Sequence, residues 1–131
     1  MGVNFMHESQ YGGHLTVSEA SQGNLARMLI EAPHGAVFIA ERDNVALGMI
    51  GVIATMHPHS GDPVMSELFW YVRPGARGTA GLGVRLLRTA EAWAKSHGIG
   101  KSIVVAPNEE VERLYQRMGY ERLEVQYIRT L

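Results

Sequence analysis

The most informative absence in this 131-residue sequence is cysteine, which does not occur at all. Without a thiol the chain has no disulfide, no thiolate metal ligand and no cysteine nucleophile. Its longest apolar run, Val45 to Met56, is interrupted by two glycines and is well short of the ~20 residues that a membrane helix needs. The formal net charge is only −1, so composition does not favour a nucleic-acid-binding surface. The N-terminus lacks the basic start and apolar stretch of a signal peptide, which predicts a cytoplasmic protein.

The sequence does contain enough apolar material for one compact domain, because 46% of its residues are hydrophobic and no linker composition divides it. Gly48 and Gly51, inside an apolar run, indicate a bulge or a close backbone approach. Periodicity, caps and turn residues predict helices and strands in alternation. The predicted helices cover residues 18–32, 82–98 and 108–118, and the predicted strands cover residues 36–41, 45–56, 66–72, 101–106 and 120–131. The order predicts a single three-layer mixed α/β domain over residues 1–131.

The stretch from Ser66 to Gly98 organises the rest of the chain. It contains an apolar strand pattern ending at Val72, a glycine-rich loop from Arg77 to Gly83, and a helical pattern. A loop of this kind leaves unpaired N–H groups at a helix N-terminus, where the helix dipole favours anions. Glycine also allows the backbone to approach a phosphate closely. The stretch therefore predicts a site for a phosphate-bearing ligand, with a plain strand-to-helix connection as the alternative.

Two common phosphate-binding loops do not fit these residues. A Walker loop ends in Gly-Lys-Ser/Thr, whereas Val84 and Arg85 follow Gly83. A dinucleotide fingerprint needs a third glycine where Leu86 stands, and an acidic residue after the next strand, where Pro107-Asn108 occurs. Both assignments therefore fail for this loop.

A third class of loop fits better, and two motifs carry the resemblance. Arg77-Gly78 followed by Gly81-Leu82-Gly83-Val84-Arg85-Leu86-Leu87 resembles the acetyl-CoA loop of the GNAT N-acetyltransferases, with Arg77 standing one residue early. The segment from Asn108 to Tyr120 resembles the second signature of that family, Asn-x-x-Ala-x-x-Leu-Tyr-x-x-x-Gly-Phe. Asn108, Leu114, Tyr115 and Gly119 match it outright. Together the motifs cover residues 66–131 firmly and the first half of the chain loosely.

The resemblance implies a mostly antiparallel sheet flanked by helices, with acetyl-CoA as co-substrate and no metal. Tyr71 and Val72 would offer backbone groups to the pantetheine arm and the thioester carbonyl. The pyrophosphate would rest on the loop, and Asn108 would border the cofactor besides capping its helix. The implied cofactor-binding residues are Tyr71, Val72, Arg77, Gly78, Thr79, Ala80, Gly81, Leu82, Gly83, Asn108 and Tyr115.

The resemblance also implies N-acetyl transfer to a primary amine of a small molecule or a protein. The amine attacks directly, since no cysteine is present to carry the acetyl group. Tyr115 is the candidate donor of a proton or hydrogen bond to the departing sulfur, and the alternative is that it is only a core aromatic residue. Glu67 is the candidate base, and the alternative is a solvated strand residue. A bulge is common in this strand of the family, so the alternation of the strand does not predict which way the Glu67 side chain points. The rival function is a CoA-binding or assembly protein that keeps the fold without catalysis.

Several polar residues are candidates for the acceptor side of such a site. His57 and His59 flank Pro58, and we interpret them as surface histidines, with metal ligation or a place at the acceptor mouth as alternatives. His7, Glu8 and Tyr11 would line that mouth if the N-terminal helix covers it. No metal site is predicted.

The last expectation is a homodimer. GNAT sheets usually begin with a strand before the first helix and end with a hairpin, whereas this chain is expected to start inside the first helix and to end in one strand, residues 120–131. Both edges of the sheet would then lack a partner. Pairing of the apolar terminal strand with its symmetry mate across a two-fold axis would cover the exposed strand edge. The alternative is a monomer whose edge is protected by the charged residues Arg122, Glu124 and Arg129.

Overall fold

The computed structural model of the chain describes residues 1–78 and 81–131. Two of the predicted phosphate-binding residues, Thr79 and Ala80, lie outside the described residues. The α-helices are α1 (Gly2–Glu8), α2 (Glu19–Glu31), α3 (Leu82–Ser96) and α4 (Glu109–Arg117), and 3₁₀ turns span Gln10–Gly13 and Pro74–Ala76. The strands are β1 (Gly35–Arg42), β2 (Val45–Met56), β3 (Pro63–Val72) and β4 (Lys101–Ile103).

The four strands form one sheet in the order β1-β2-β3-β4, antiparallel except for the β3–β4 pair. Helices α1 and α2 pack on one face through a cluster around Leu29 and Phe69. Helices α3 and α4 pack on the other face, where Ile50 and Leu87 are fully buried. The predicted three-layer mixed α/β fold is confirmed.

Local sequence signals account for the ends of the helices. Ser18 caps α2 by accepting a hydrogen bond from the Ser21 N–H, and Asn108 caps α4 by accepting one from the Val111 N–H. Gly98 and Gly119 follow α3 and α4 in the left-handed region, with φ of 75° and 92°. These signals explain why the predicted helix bounds agree closely with the structure.

The glycines in β2 mark both a register change and a close approach, as expected. The pairing of β2 with β3 shifts between Gly51 and Val52, which leaves Leu68 of β3 as the extra residue of a β-bulge. A Cβ on Gly51 would lie 2.2 Å from a ring carbon of Phe69. The bulge changes which side chains of β3 share a face, and it places Glu67 and Trp70, which are three residues apart, on the same face.

β4 is shorter than predicted. It pairs with β3 at only three positions, Lys101 to Ile103, so the prediction of a strand over residues 101–106 is wrong for its second half. Beyond Ile103 the backbone of the chain bonds to side chains and not to the backbone of β3. The Val105 N–H donates to the Glu67 carboxylate, and the Val105 carbonyl accepts from the Tyr115 hydroxyl. The two strands therefore diverge; we call the space between residues 67–72 and residues 104–106 the β3–β4 cleft.

The predicted terminal strand over residues 120–131 is also wrong. This segment has no strand pairing, and Arg122 anchors its start through an ion pair to Glu112 of α4 at 2.8 Å. Leu123 is 75% exposed and Tyr127 is 94% exposed. A strand requires an adjacent edge to bond to, and alternation in the sequence does not provide that partner.

Candidate active site

The backbone of β3 beyond the bulge offers hydrogen-bonding groups to the cleft. The Arg73 N–H donates to the Leu47 carbonyl at 2.8 Å, so the opposed Val72 and Gly48 are a non-hydrogen-bonded pair. Pairs alternate along an antiparallel ladder, so Tyr71 turns its N–H and C=O towards β2, whereas Trp70 and Val72 turn theirs towards the cleft. Of the expected pair Tyr71 and Val72, Val72 is therefore the residue whose backbone faces the cleft. Trp70 was not among the residues identified in the sequence, because the bulge had to be located first.

Glu67 lies at the inner end of the cleft, on the α3 side of the sheet. It is opposite the buried Val52, so its side chain points into the same layer as the core beneath α3. Its carboxylate accepts a hydrogen bond from the Val105 N–H at 3.1 Å. Burial raises the pKa of Glu67 to about 7, and the Val105 bond offsets only part of that shift. The group therefore titrates near neutral pH.

Tyr115 of α4 faces Glu67 across the cleft. Its ring is only 4% exposed, and its hydroxyl donates to the Val105 carbonyl at 3.3 Å. Burial raises the pKa of the Tyr115 hydroxyl above its usual range, and the charges of Glu67 and Tyr120 add to that shift. Tyr115 thus remains protonated and acts as a donor at neutral pH.

Trp70 connects Tyr115 to the glycine loop. Its ring stacks on Tyr115 with centroids 5.7 Å apart, and its Cζ2 would lie 2.9 Å from a Cβ on Gly83. Trp70 Nε1 is a buried donor with no hydrogen-bond partner within the described residues. Since buried donors in native proteins nearly always have a partner, this N–H is available to a ligand.

The described part of the glycine loop is open. Gly78 and Gly81 have φ of 74° and 62°, and a Cβ on either would meet nothing within 4 Å. The Arg85 N–H bonds to the Gly81 carbonyl at 2.9 Å, so the N–H groups of Leu82 and Gly83 precede the first helical bond of α3. They are suited to an anion.

Arg77 ties this loop to the N-terminal helix. Its Nε donates to the Val72 carbonyl at 2.8 Å, and its Nη2 forms an ion pair with Glu8, which also accepts from the Tyr71 hydroxyl at 2.7 Å. The Arg77 bond, followed by the Tyr71 bond, lowers the pKa of Glu8 below its usual range. Glu8 is therefore ionised, and it lies at the loop end of β3.

The N-terminal segment also reaches the other side of the cleft. The Gln10 side-chain amide donates to the Pro107 carbonyl, in the turn before α4. The two histidines interpreted as surface residues lie in the β2–β3 loop, where the His59 N–H donates to His57 Nδ1 at 3.4 Å. In the described part of the chain no group of three or more His, Cys, Asp or Glu residues could hold a metal ion. Nor is any helix described here long and apolar enough to cross a bilayer.

A mixed sheet with a bulged third strand, a diverging parallel neighbour and a glycine turn before α3 defines an acyl-CoA N-acyltransferase fold. The sequence matches the acetyltransferase (GNAT) family over residues 5–120. The chain belongs to the GNAT acetyltransferase family. No curated protein matches the sequence at a significant level.

Solved structures share the fold at low sequence identity. One is the aminoglycoside acetyltransferase AAC(6')-Iy with a CoA-acetylneamine bisubstrate analogue, with a TM-score of 0.74, 19% identity, and coverage of 98% of this chain and 91% of that one. Another is the aminoglycoside 6'-N-acetyltransferase AAC(6')-IG of Acinetobacter haemolyticus, with a TM-score of 0.73, 21% identity, and coverage of 99% and 90%. A third is described as a transcriptional regulator of Bacillus halodurans, with a TM-score of 0.78, 15% identity, and coverage of 98% and 90%. At these identities the likeness shows the fold alone.

Proposed function

We propose that this protein is an N-acetyltransferase that transfers the acetyl group of acetyl-CoA directly to a primary amine. The observation that carries this proposal is the convergence of Glu67 and Tyr115 on Val105 in the β3–β4 cleft. Burial raises both pKa values, that of Glu67 to about 7 and that of Tyr115 above its usual range, which suits the carboxylate to accept a proton and the phenol to donate a hydrogen bond.

The residues around the cleft fit the proposed co-substrate. Within the described residues, Trp70 Nε1 is a buried donor without a hydrogen-bond partner. The backbones of Trp70 and Val72 face the cleft from β3, at positions where β4 no longer pairs with it. These groups suit the amides of a pantetheine arm, and Gly78, Gly81, Leu82 and Gly83 suit its pyrophosphate. The role proposed for Thr79 and Ala80 is the same. Asn108 Oδ1 is occupied by the Val111 N–H, so Asn108 would border the co-substrate from the start of α4.

Acetyl-CoA supplies an acetyl group that is activated as a thioester. Glu67 accepts the proton that the amine loses as the new C–N bond forms and the C–S bond breaks. The Tyr115 hydroxyl donates a hydrogen bond to the departing thiolate. Because the pKa of Tyr115 is raised above its usual range, the phenol keeps its own proton. The thiolate takes up the proton collected by Glu67 instead.

The acceptor is a small-molecule amine in this proposal, and the 6'-amine of an aminoglycoside is the first to test, since two of the fold relatives are described as aminoglycoside acetyltransferases. The test measures thiol release from acetyl-CoA with a panel of aminoglycosides, polyamines and amino-terminal peptides. Turnover with any amine that is lost in Glu67→Gln supports the proposal, whereas acetyl-CoA binding without turnover across the panel contradicts it.

A second candidate function is CoA binding without catalysis. It is favoured by the hydrogen bonds that Glu67 and Tyr115 make to Val105, because these bonds also serve to hold the diverging chain in place. A thermal-shift assay with CoA and acetyl-CoA separates the candidates when it is combined with the thiol assay. Stabilisation without thiol release selects the second candidate.

We also propose that the protein is a cytoplasmic homodimer. The outer edge of β4 has no neighbour in the described sheet, and residues 121–131 of the same chain expose apolar side chains at alternate positions. A second copy would supply a strand to this edge and cover those side chains in one self-complementary contact. We propose a cytoplasmic location because the proposed reaction needs acetyl-CoA as its co-substrate.

A further inference from the structure

Tyr120 returns to the site from the end of α4. Gly119 has a φ of 92°, which turns the chain so that the Tyr120 N–H donates to the Tyr115 carbonyl at 3.0 Å. This backward bond after a glycine ends many helices, and it brings the next residue against the helix that has just ended. The rings of Tyr115 and Tyr120 have centroids 5.4 Å apart. Tyr120 therefore contacts Tyr115 through both its backbone and its ring.

The hydroxyl of Tyr120 is held by two other elements of the fold. It donates to the Glu91 carboxylate of α3 at 2.6 Å, and the Ser102 hydroxyl of β4 lies within hydrogen-bonding distance at 3.0 Å. Burial raises the pKa of the Tyr120 hydroxyl above its usual range, and the bond to Glu91 adds to that shift, so the phenol stays protonated. Hydrogen bonds from a hydroxyl to a carboxylate are short and strong. Among the described residues Glu91 forms no ion pair that would compete for it.

The other contacts of the Tyr115 side chain are weaker anchors. Its hydroxyl bond to the Val105 carbonyl is long, at 3.3 Å. Trp70 also stacks on its ring, but Trp70 Nε1 has no hydrogen-bond partner within the described residues. Tyr120 is thus the ring neighbour of Tyr115 that is tied down at its far end.

We propose that Tyr120 is a positioning residue for the acetyl transfer, which holds the Tyr115 hydroxyl in place opposite Glu67. This inference rests on the proposed function, because it concerns the hydrogen-bond donor of the same reaction. The helix-end signature that α4 resembles has Phe where Tyr120 stands, so the ring alone serves to end the helix, and the hydroxyl supplies the anchor. Tyr120 acts through Tyr115 and not on the substrate. Only the part of turnover that depends on the Tyr115 hydroxyl therefore depends on Tyr120.

The experiment is a double-mutant cycle on thiol release from acetyl-CoA, with whichever aminoglycoside, polyamine or amino-terminal peptide the wild type acetylates fastest. Tyr120→Phe should lower kcat about three- to tenfold, the effect of about one hydrogen bond, and leave the KM for acetyl-CoA unchanged. In the Tyr115→Phe background the same change should lower kcat no further, because the hydroxyl that Tyr120 positions is already absent. Equal losses in the two backgrounds would overturn the inference.

The anchor on α3 supplies a conservative variant and a contrast. Glu91→Gln keeps an oxygen that accepts from Tyr120 and should retain most of the wild-type kcat, whereas Glu91→Ala should behave like Tyr120→Phe. Arg122→Gln is the matched control, since it breaks an ion pair to Glu112 of α4 that involves neither tyrosine. It should keep the wild-type kcat. A Glu91→Ala protein with the wild-type kcat would overturn the role of the anchor.

A second measurement needs no acceptor. The chain has two tryptophans, so heteronuclear NMR gives two indole N–H signals, and Trp93→Phe identifies the remaining one as that of Trp70. This signal reports the position of the Tyr115 ring that stacks on Trp70. Tyr120→Phe should shift it and Arg122→Gln should not; an unmoved signal in Tyr120→Phe would overturn the inference. A wild type that releases no thiol with any amine would instead reject the proposed function, and the NMR signal would still decide whether Tyr120 holds Tyr115.

Discussion

At the scale of single residues, the site depends on how a carboxylate and a phenol are buried. Glu67 and Tyr115 share one backbone partner, Val105, and each is removed from water by the layer between the sheet and α4. Desolvation disfavours the charged form of both groups. Desolvation raises the pKa of the Glu67 carboxyl to about 7, so that the group titrates near neutral pH. It raises the pKa of the Tyr115 hydroxyl above its usual range, so that the phenol keeps its proton at neutral pH.

Glu67 predicts a pH dependence of activity. In the proposed mechanism its carboxylate form is the base, so kcat/KM should rise with pH and level off above about 7. Glu67→Gln should lower kcat by about 10²–10⁴-fold and remove that rising limb. The measurement is a pH profile of thiol release, with Glu121→Gln as a control. A rising limb that persists in Glu67→Gln would assign the base elsewhere.

The same shift predicts a pH dependence of stability. The folded-state pKa of Glu67 is raised from 4.5 to about 7, so folding favours the protonated form. Its contribution is therefore fully present below pH 4.5 and is lost as the pH rises through 7. Glu67→Gln cannot ionise, so it should gain up to about 3 kcal/mol relative to the wild type between pH 4.5 and 8. Urea unfolding of both proteins at several pH values measures the difference, and a constant difference would contradict the raised pKa.

Tyr115 predicts a separation between binding and turnover. Tyr115→Phe keeps the ring that stacks on Trp70 and removes only the hydroxyl. Turnover should therefore fall about 10–100-fold, with a smaller change in the Kd for CoA. Tyr127→Phe, at an exposed position, is the control. An unchanged kcat in Tyr115→Phe would remove this residue from the mechanism.

At the scale of elements, the sequence predicts well those features that are determined by residues close together in the chain. Caps at Ser18 and Asn108 and glycines after α3 and α4 are local, so the predicted helices agree with the structure. The length of β4 and the state of residues 120–131 depend on partners far along the chain, and both predictions failed. Trp70 was missed for a related reason, since its place in the cleft depends on where β3 shifts its register.

The bulge in β3 predicts that Gly51 tolerates no side chain. A Cβ there would lie 2.2 Å from the Phe69 ring, in the core layer beneath α2, where Phe69 is only 4% exposed. Gly51→Ala should therefore destabilise the fold by about 1–3 kcal/mol or more and disturb the register that positions Glu67. Gly100→Ala, where a Cβ would meet nothing within 4 Å, should change stability little. Urea unfolding compares the two, and similar midpoints would show that β3 readily moves aside.

At the scale of the whole molecule, the described sheet leaves the outer edge of β4 uncovered, and the terminal segment exposes apolar side chains. Val125 and Tyr127 are 58% and 94% exposed, and in a paired strand they would lie on one face, with Gln126 on the other. Leaving such residues in water forgoes apolar burial worth about 1.5–3 kcal/mol for each large side chain. Two copies can recover this energy by exchanging or pairing their terminal segments.

This arrangement predicts a dimer that charge on one face of the segment disrupts. Size exclusion with light scattering at micromolar concentration should give twice the 14.4 kDa chain mass for the wild type. Val125→Lys/Tyr127→Lys should shift the protein to the monomer, because two like charges per copy would be buried against the partner. Gln126→Lys places its charge on the opposite face and should remain dimeric. A wild type that elutes as a single 14.4 kDa species would rule out the dimer, and the terminal segment would then be an exposed tail of a monomeric enzyme.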